Sequence, residues 1–271
     1  MRNIKYFGFF ILLGFLCLGE ALIAEDQAIP PRQVWSFSGP TGTFDKAQLQ
    51  RGFQVYKEVC SACHSLNLLS YRNLEALGFS KEGVKAIAKE HLVRDGPNQD
   101  GEMFERPGRS SDHFHAPFPN EQAARVANNG AYPPDLSVIT KARAYGPDYV
   151  HAILTGYHDQ PPNAEVSEGM YYNLYFDGHQ IAMAPPLVNE QVTYSDGTMA
   201  SVDQMSKDVT AFLSWAGEPE MEVRKRTGIM VMIYLAFLTL FLYLTMKRIW
   251  APLYRGYSSV EIGRGAGGKS H

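Results

Sequence analysis

A chain of 271 residues, 45% of them hydrophobic and 20% charged, has enough apolar material for one sizeable core and is not a disordered polymer. Its formal net charge of −3 excludes the broadly basic surface that a nucleic-acid partner requires. Cysteine occurs only at Cys17, Cys60 and Cys63, which excludes a disulfide framework.

The N-terminus places Arg2 and Lys5 before an apolar run over residues 6–18, with small residues at Ala21 and Ala24. This pattern predicts a secretory signal peptide over residues 1–24, cleaved after Ala24 or, alternatively, after Ala21. Cys17 leaves with it, so the exported chain keeps one cysteine pair. Residues 25–226 then form an exported domain whose regular apolar spacing is helical. Thr43 or Asp45 caps a first helix, with Leu49, Phe53, Tyr56 and Cys60 on one face. Ser80 opens a second, aligning Val84, Ile87, Ala88 and His91. Asn120 caps a third that ends by Gly130, and Pro147 starts a fourth that ends at Gly156. A last helix over residues 201–215 carries Met205, Val209, Phe212, Leu213 and Ala216 as its stripe. Residues 95–119 and 160–197 read as long loops, of the kind that pack around a large apolar prosthetic group and carry function.

Residues 227–246 contain no charge and have the length of a transmembrane helix. Arg224, Lys225 and Arg226 precede them and Lys247, Arg248 and Arg255 follow, so flanking charge barely sets the orientation. The signal peptide sets it instead: the domain lies outside, and a tail over residues 247–271, flexible around its glycine-rich end, stays in the cytoplasm.

The chemistry centres on Cys60-Ser61-Ala62-Cys63-His64, the attachment pattern for c-type haem. Spacing at i, i+3 and i+4 directs both thiols and the imidazole to one face, so that two thioether bonds hold a porphyrin while His64 meets the iron. A thioredoxin-like thiol pair lacks its βαβ context here, and a zinc site lacks further cysteines. An electron carrier needs a second axial ligand. Met205 belongs to a core stripe, Met230, Met232 and Met246 to the membrane span, and Met103, Met170 and Met199 to polar loops. Met183 stands just before Pro185-Pro186, which brace the backbone. On residues alone, Met183, His179 and His158 remain in competition for the iron.

Arg51-Gly52-Phe53-Gln54-Val55-Tyr56 before the motif, Ala127-Asn128-Asn129-Gly130 with Pro133-Pro134-Asp135-Leu136-Ser137, Leu154-Thr155-Gly156-Tyr157, and Ala182-Met183-Ala184-Pro185-Pro186 resemble the cytochrome c1 family from about residue 31 to 254. The resemblance implies a mainly α, cytochrome c-like haem domain with long loops and one C-terminal transmembrane helix. It also implies one covalent haem c, with Met183 as the ligand opposite His64. Arg143 falls where the family holds a haem propionate, with Arg125 as the alternative. Asn128, Ala131, Pro133, Pro134 and Tyr149 fall on the family's haem pocket, whereas Tyr132 replaces a smaller apolar residue. By the same resemblance the chain sits in the bacterial inner membrane with its haem domain in the periplasm. It is there the electron-transfer subunit of a dimeric ubiquinol–cytochrome c reductase, beside cytochrome b and the Rieske iron–sulfur protein, with a cytochrome c as acceptor. No acid, base or nucleophile is asked of it. A haem-based sensor with an open sixth position, or an electron-transfer subunit of another complex, are the rival readings.

Residues 144–223 hold twelve acidic residues against the single base Lys207. Solubility accounts for part of this. A field that steers a basic cytochrome is the functional reading.

Overall fold

The computed structural model describes residues 28–162 and 164–265. The described residues divide into two compact units, one of residues 28–35 with 44–218, the other of residues 36–43 with 219–265.

The first unit is helical, as its periodicity predicts. Asp45, whose carboxylate accepts from the Ala47 N–H at 2.9 Å, caps α1 (Lys46–Glu58). Ser80 caps α2 (Lys81–Lys89) and Asn120 caps α3 (Glu121–Ala127). A short α4 (Ile139–Ala142) leads into α5 (Pro147–Thr155), which has its proline in the first turn, where a missing N–H costs nothing. Ser201 caps α6 (Val202–Ala216). The core lies between α1 and α6: Leu49, Phe53 and Tyr56 are buried with Met205, Val209 and Phe212. The Phe212 ring stands 5.7 Å from the ring centres of both Phe53 and Tyr56. Close approach depends on Gly52, because a β-carbon there would come within 2.0 Å of the Asp208 carbonyl oxygen. Beside it Arg51 reaches the fully buried Asp208 carboxylate at 2.9 Å and Asp196 at 2.7 Å, a charge pair that locks the two helices in register.

Several details differ from the sequence expectations. Asp45 and not Thr43 is the cap. The first helix stops at Glu58, so Cys60 is not on its face but starts a separate 3-10 turn, Cys60–Ala62. His91 lies beyond α2 and stacks on Tyr71 and His115. The stretch read as a loop over residues 95–119 takes part in an antiparallel hairpin of β1 (Leu92–Asp95) and β2 (Phe104–Pro107), clamped by Arg106 between Asp95 and Asp112. The second long stretch contains a two-residue ladder of β3 (Tyr171–Tyr172) with β4 (Gln180–Ile181).

In the second unit, α7 (Met221–Gly265) runs without a break through the apolar span and both flanking charge clusters. Residues 221–252 have a mean hydropathy of 2.3 over the most apolar 18-residue window, none of which is buried. They form the one helix among the described residues long and apolar enough to cross a membrane. The Lys225 ammonium donates to the carbonyls of Phe37 (2.7 Å) and Gly42 (3.1 Å) and so closes the 36–43 loop. The helix takes in Gly263 to Gly265 of the glycine-rich end; the signal segment, residues 1–24, and residues 266–271 lie outside the described residues.

Candidate functional site

The attachment motif folds as a tight turn. The N–H groups of Cys63 and His64 both donate to the Cys60 carbonyl, at 3.1 and 2.9 Å, which gathers the three functional side chains onto one short segment. Neither cysteine forms a disulfide among the described residues. Burial, with the Cys63 thiol beside it, pushes the Cys60 thiol up to about 12, whereas Cys63 is exposed.

His64 is held from two further directions. Its Nδ1 donates to the Pro134 carbonyl at 2.8 Å, and its own carbonyl accepts from the Tyr56 hydroxyl at 3.3 Å. Burial lowers the His64 pKa, against the opposing pull of the Pro134 carbonyl and Asp135. A neutral ring with Nδ1–H engaged leaves Nε2 as a free lone pair, the state required of a metal-binding imidazole.

The Pro133–Ser137 segment, noticed in the sequence as a motif, docks on the residues that follow the histidine. Leu136 N–H donates to the Ser65 carbonyl at 2.9 Å, and Leu68 N–H to the Ser137 hydroxyl at 3.0 Å. Asp135 accepts from the Ser65 hydroxyl and the Asn67 N–H, each at 2.8 Å, and from the Ser137 N–H at 2.8 Å. Burial alone would raise the Asp135 pKa, but these hydrogen bonds outweigh it and hold the carboxyl below its usual range. Sequence reading assigned no role to Asp135, Ser65 or Ser137; an Asp, whose carboxylate can accept the backbone N–H two residues on, is the local sign of such a turn.

Met183 lies on a second cluster. The Tyr157 hydroxyl donates to the Met183 carbonyl at 3.0 Å, fixing the main chain at the thioether from the end of α5. Burial raises the Tyr157 pKa, so the donor stays protonated. Gly156 permits this arrangement, since a β-carbon there would meet the Tyr175 ring at 2.5 Å. Of the competitors, His179 has a positive φ of 56°, and its Nδ1 donates to the Asn173 carbonyl at 3.3 Å with the ring against Tyr172. His158 is exposed and lines an open cavity of about 510 Å³ with Asp159 and Pro185.

The remaining predicted residues flank these clusters. Asn128 closes α3 by donating to the Ala124 carbonyl at 2.7 Å, and the Ala131 N–H returns to the Asn128 carbonyl at 2.9 Å. Ala131 and Pro133 are half-buried, and Pro134 is exposed apart from its engaged carbonyl. Arg125 is committed to Glu121 and the Gly130 carbonyl and lies over the Tyr132 ring, which accounts for a tyrosine at that position. Arg143 is exposed and takes no ion-pair partner among the described residues. Tyr149 is its neighbour: burial raises the phenol pKa while the Arg143 charge lowers it and Asp177 raises it. The structure thus joins His64 with Pro134 and Met183 with Tyr157, with α4 and α5 between the two pairs along the chain, and sets Arg143 close enough to Tyr149 for its charge to act on the phenol.

This donor set suits a c-type haem: two cysteines outside any disulfide on one turn, an imidazole with its outer nitrogen engaged, and a thioether on a braced loop. The cytochrome c1 family model matches residues 35–253. The chain belongs to the cytochrome c1 family. Among its relatives, cytochrome c1 of Rhodospirillum rubrum is 44% identical over 252 residues, covering 87% of this chain and 93% of that protein. The mitochondrial heme protein cytochrome c1-2 of Solanum tuberosum is 52% identical over 217 residues, covering 80% and 84%. The cytochrome b/c1 protein of Bradyrhizobium diazoefficiens is 48% identical over 266 residues; the match takes in 89% of this chain but spans only 39% of that longer protein. Family membership accounts for the mainly helical domain, the haem-type motif and the apolar C-terminal helix together.

Proposed function

We propose that this chain is the electron-transfer subunit of a ubiquinol–cytochrome c reductase, taking single electrons from a Rieske iron–sulfur protein and passing them to a cytochrome c. One haem c is joined through thioether bonds to Cys60 and Cys63, with His64 and Met183 as axial ligands. The observation that carries this reading is the engagement of His64 Nδ1 by the Pro134 carbonyl, which presents Nε2 to a metal in a single tautomer. When bound, the haem supplies the one-electron couple, with a potential set by its ligands and burial. The protein residues hold geometry. Tyr157 and the two prolines after Ala184 support a fixed thioether at Met183 and not the displaceable ligand of a gas sensor. Arg143, exposed, without an ion-pair partner among the described residues and beside Tyr149, suits a propionate better than Arg125, which Glu121 already neutralises. Asn128, Ala131, Pro133, Pro134 and Tyr149 complete the pocket.

The apolar helix supports a single membrane anchor, and the N-terminal signal pattern supports a haem domain in the periplasm with the C-terminus in the cytoplasm. Cytochrome b and a second copy of the complex are the assembly partners in this reading. The acidic half of the domain is the docking field for the acceptor, although it is weaker than its composition suggests. Arg51 reaches back to Asp196 and Asp208, Lys141 to Glu218, and Lys207 to Asp203. Asp159, Glu165, Glu168, Asp177 and Glu190 remain exposed and supply the field.

The test is purification in mild detergent, followed by peroxidase staining of the denatured chain and a reduced-minus-oxidised spectrum. A stained band of this chain with b-type and c-type absorption in one particle is the expected result. A colourless band from exported protein would refute covalent haem, and a c-type band without b-type absorption would refute the assembly.

A further inference from the structure

We propose that Asp135 is a positioning residue for the axial histidine: its carboxylate staples the Pro133–Ser137 segment to the Ser65–Leu68 segment and thereby keeps the Pro134 carbonyl on His64 Nδ1. This rests on the reading of His64 as an iron ligand. The geometry assigns each carboxylate oxygen a separate task. Oδ1 accepts the Ser137 N–H, closing a turn within its own segment, while Oδ2 accepts the Ser65 hydroxyl and the Asn67 N–H from the segment after the histidine, all at 2.8 Å. Asp135 is bonded directly to the Pro134 carbonyl carbon, so the direction of that carbonyl depends on Pro134 ψ and Asp135 φ. The proline ring fixes its own φ but leaves this peptide plane free to tilt. Pinning the Asp135 side chain to residues one and three beyond His64 removes that freedom, and the 2.8 Å bond to Nδ1 follows. The carbonyl in turn makes the imidazole a stronger donor, which favours the oxidised iron.

An isosteric amide cannot replace the carboxylate. Whichever way the side chain of Asp135→Asn turned its NH₂, that donor would face either the Ser137 N–H or the Asn67 N–H, so one of the two tasks fails. Ser65→Ala is the milder lesion, removing one of the two bonds to Oδ2 while keeping the charge and the turn at Ser137.

The experiment uses the full-length haem-loaded chain in detergent micelles, labelled with ¹⁵N-histidine. It follows the exchange of the His64 Nδ1 proton with solvent in the oxidised state, together with the midpoint potential. Asp135→Asn should speed exchange about 10- to 100-fold, as loss of charge-assisted hydrogen bonds entails, and raise the potential. Ser65→Ala should shift both in the same direction by less, and since its charge is intact this shift reads geometry alone. If Asp135→Asn does not accumulate, Ser65→Ala decides. Unchanged exchange in Ser65→Ala, or a raised potential in Asp135→Asn with unchanged exchange, would overturn the proposal and leave Asp135 a charge effect only. A His64 resonance without the hyperfine shift of an iron ligand would refute instead the underlying assignment of His64.

Discussion

Tyr157→Phe isolates the brace on Met183. The substitution removes one oxygen, and with it the 3.0 Å hydrogen bond to the Met183 carbonyl, while leaving the ring to pack as before. A hydrogen bond of this kind has a net value of about 1–1.5 kcal/mol, so, in the proposed ligation, the iron-bound form of the Met183 loop loses about that much relative to forms in which the thioether is away from the iron. At room temperature this enlarges the off-iron population about tenfold. The apparent affinity of an external ligand scales with the fraction of protein competent to bind it, so carbon monoxide should bind the reduced variant about tenfold more tightly. Titration of the reduced protein, followed in the c-type absorption band, measures this directly. Met183→Leu sets the ceiling, with the sixth position fully open and the midpoint potential lowered by a sizeable part of the ~0.8 V range that axial ligands command. Carbon monoxide affinity unchanged in Tyr157→Phe would refute the brace, and unchanged potential and closed iron in Met183→Leu would move the ligand to His179.

Arg51→Met should destabilise the domain by about 3–5 kcal/mol, because it strands the fully buried Asp208 carboxylate between α1 and α6; urea unfolding of the haem domain against wild type measures it. His151 is buried on α5, against Asp203 with Lys207 and Asp148 nearby, and burial lowers its pKa more than Asp203 raises it. The unfolded chain therefore binds this proton more readily, so the stability associated with neutral His151 is present above about pH 6.5 and is lost as pH falls below it. His91 acts in the same direction, and His151→Gln should flatten the slope of urea midpoint against pH between 5 and 7 without abolishing it. Electron transfer to a basic soluble cytochrome c should slow as salt rises, since the screening length shrinks from about 10 Å at 0.1 M to about 3 Å at 1 M. Glu165→Gln with Glu168→Gln should reduce that slope in stopped-flow rates, whereas a salt-independent rate would assign the acidic face to solubility.

What the sequence disclosed depended on range. Helix starts are local chemistry, and Asp45, Ser80, Asn120, Pro147 and Ser201 each stand where a cap or first-turn proline is needed. The β1–β2 hairpin was illegible because Arg106, Asp95 and Asp112 close it, and no alternating apolar pattern marks it. Cys60 sits on helical spacing with Tyr56, yet the chain leaves the helix at Val59 to form the attachment turn. At the proposed site, the motif is what points to Cys60, Cys63 and His64, and the family resemblance is what points to Met183. The supports of His64 and Met183, Asp135 some 70 residues from Ser65 and Tyr157 26 residues from Met183, are tertiary contacts that no local pattern encodes. The acid count over residues 144–223 overstated the field because Arg51 and Lys141, both outside that window, neutralise part of it.

The most direct test is rapid mixing of the detergent-purified complex with a ubiquinol, followed by addition of oxidised cytochrome c, while the c-type band of this chain is observed. The band should appear on addition of the quinol and disappear on addition of cytochrome c, and Met183→Leu should block or greatly slow the first step by lowering the haem potential. A c-type band that the quinol leaves oxidised in an intact wild-type complex, or one that cytochrome c cannot reoxidise, would contradict the proposed electron path.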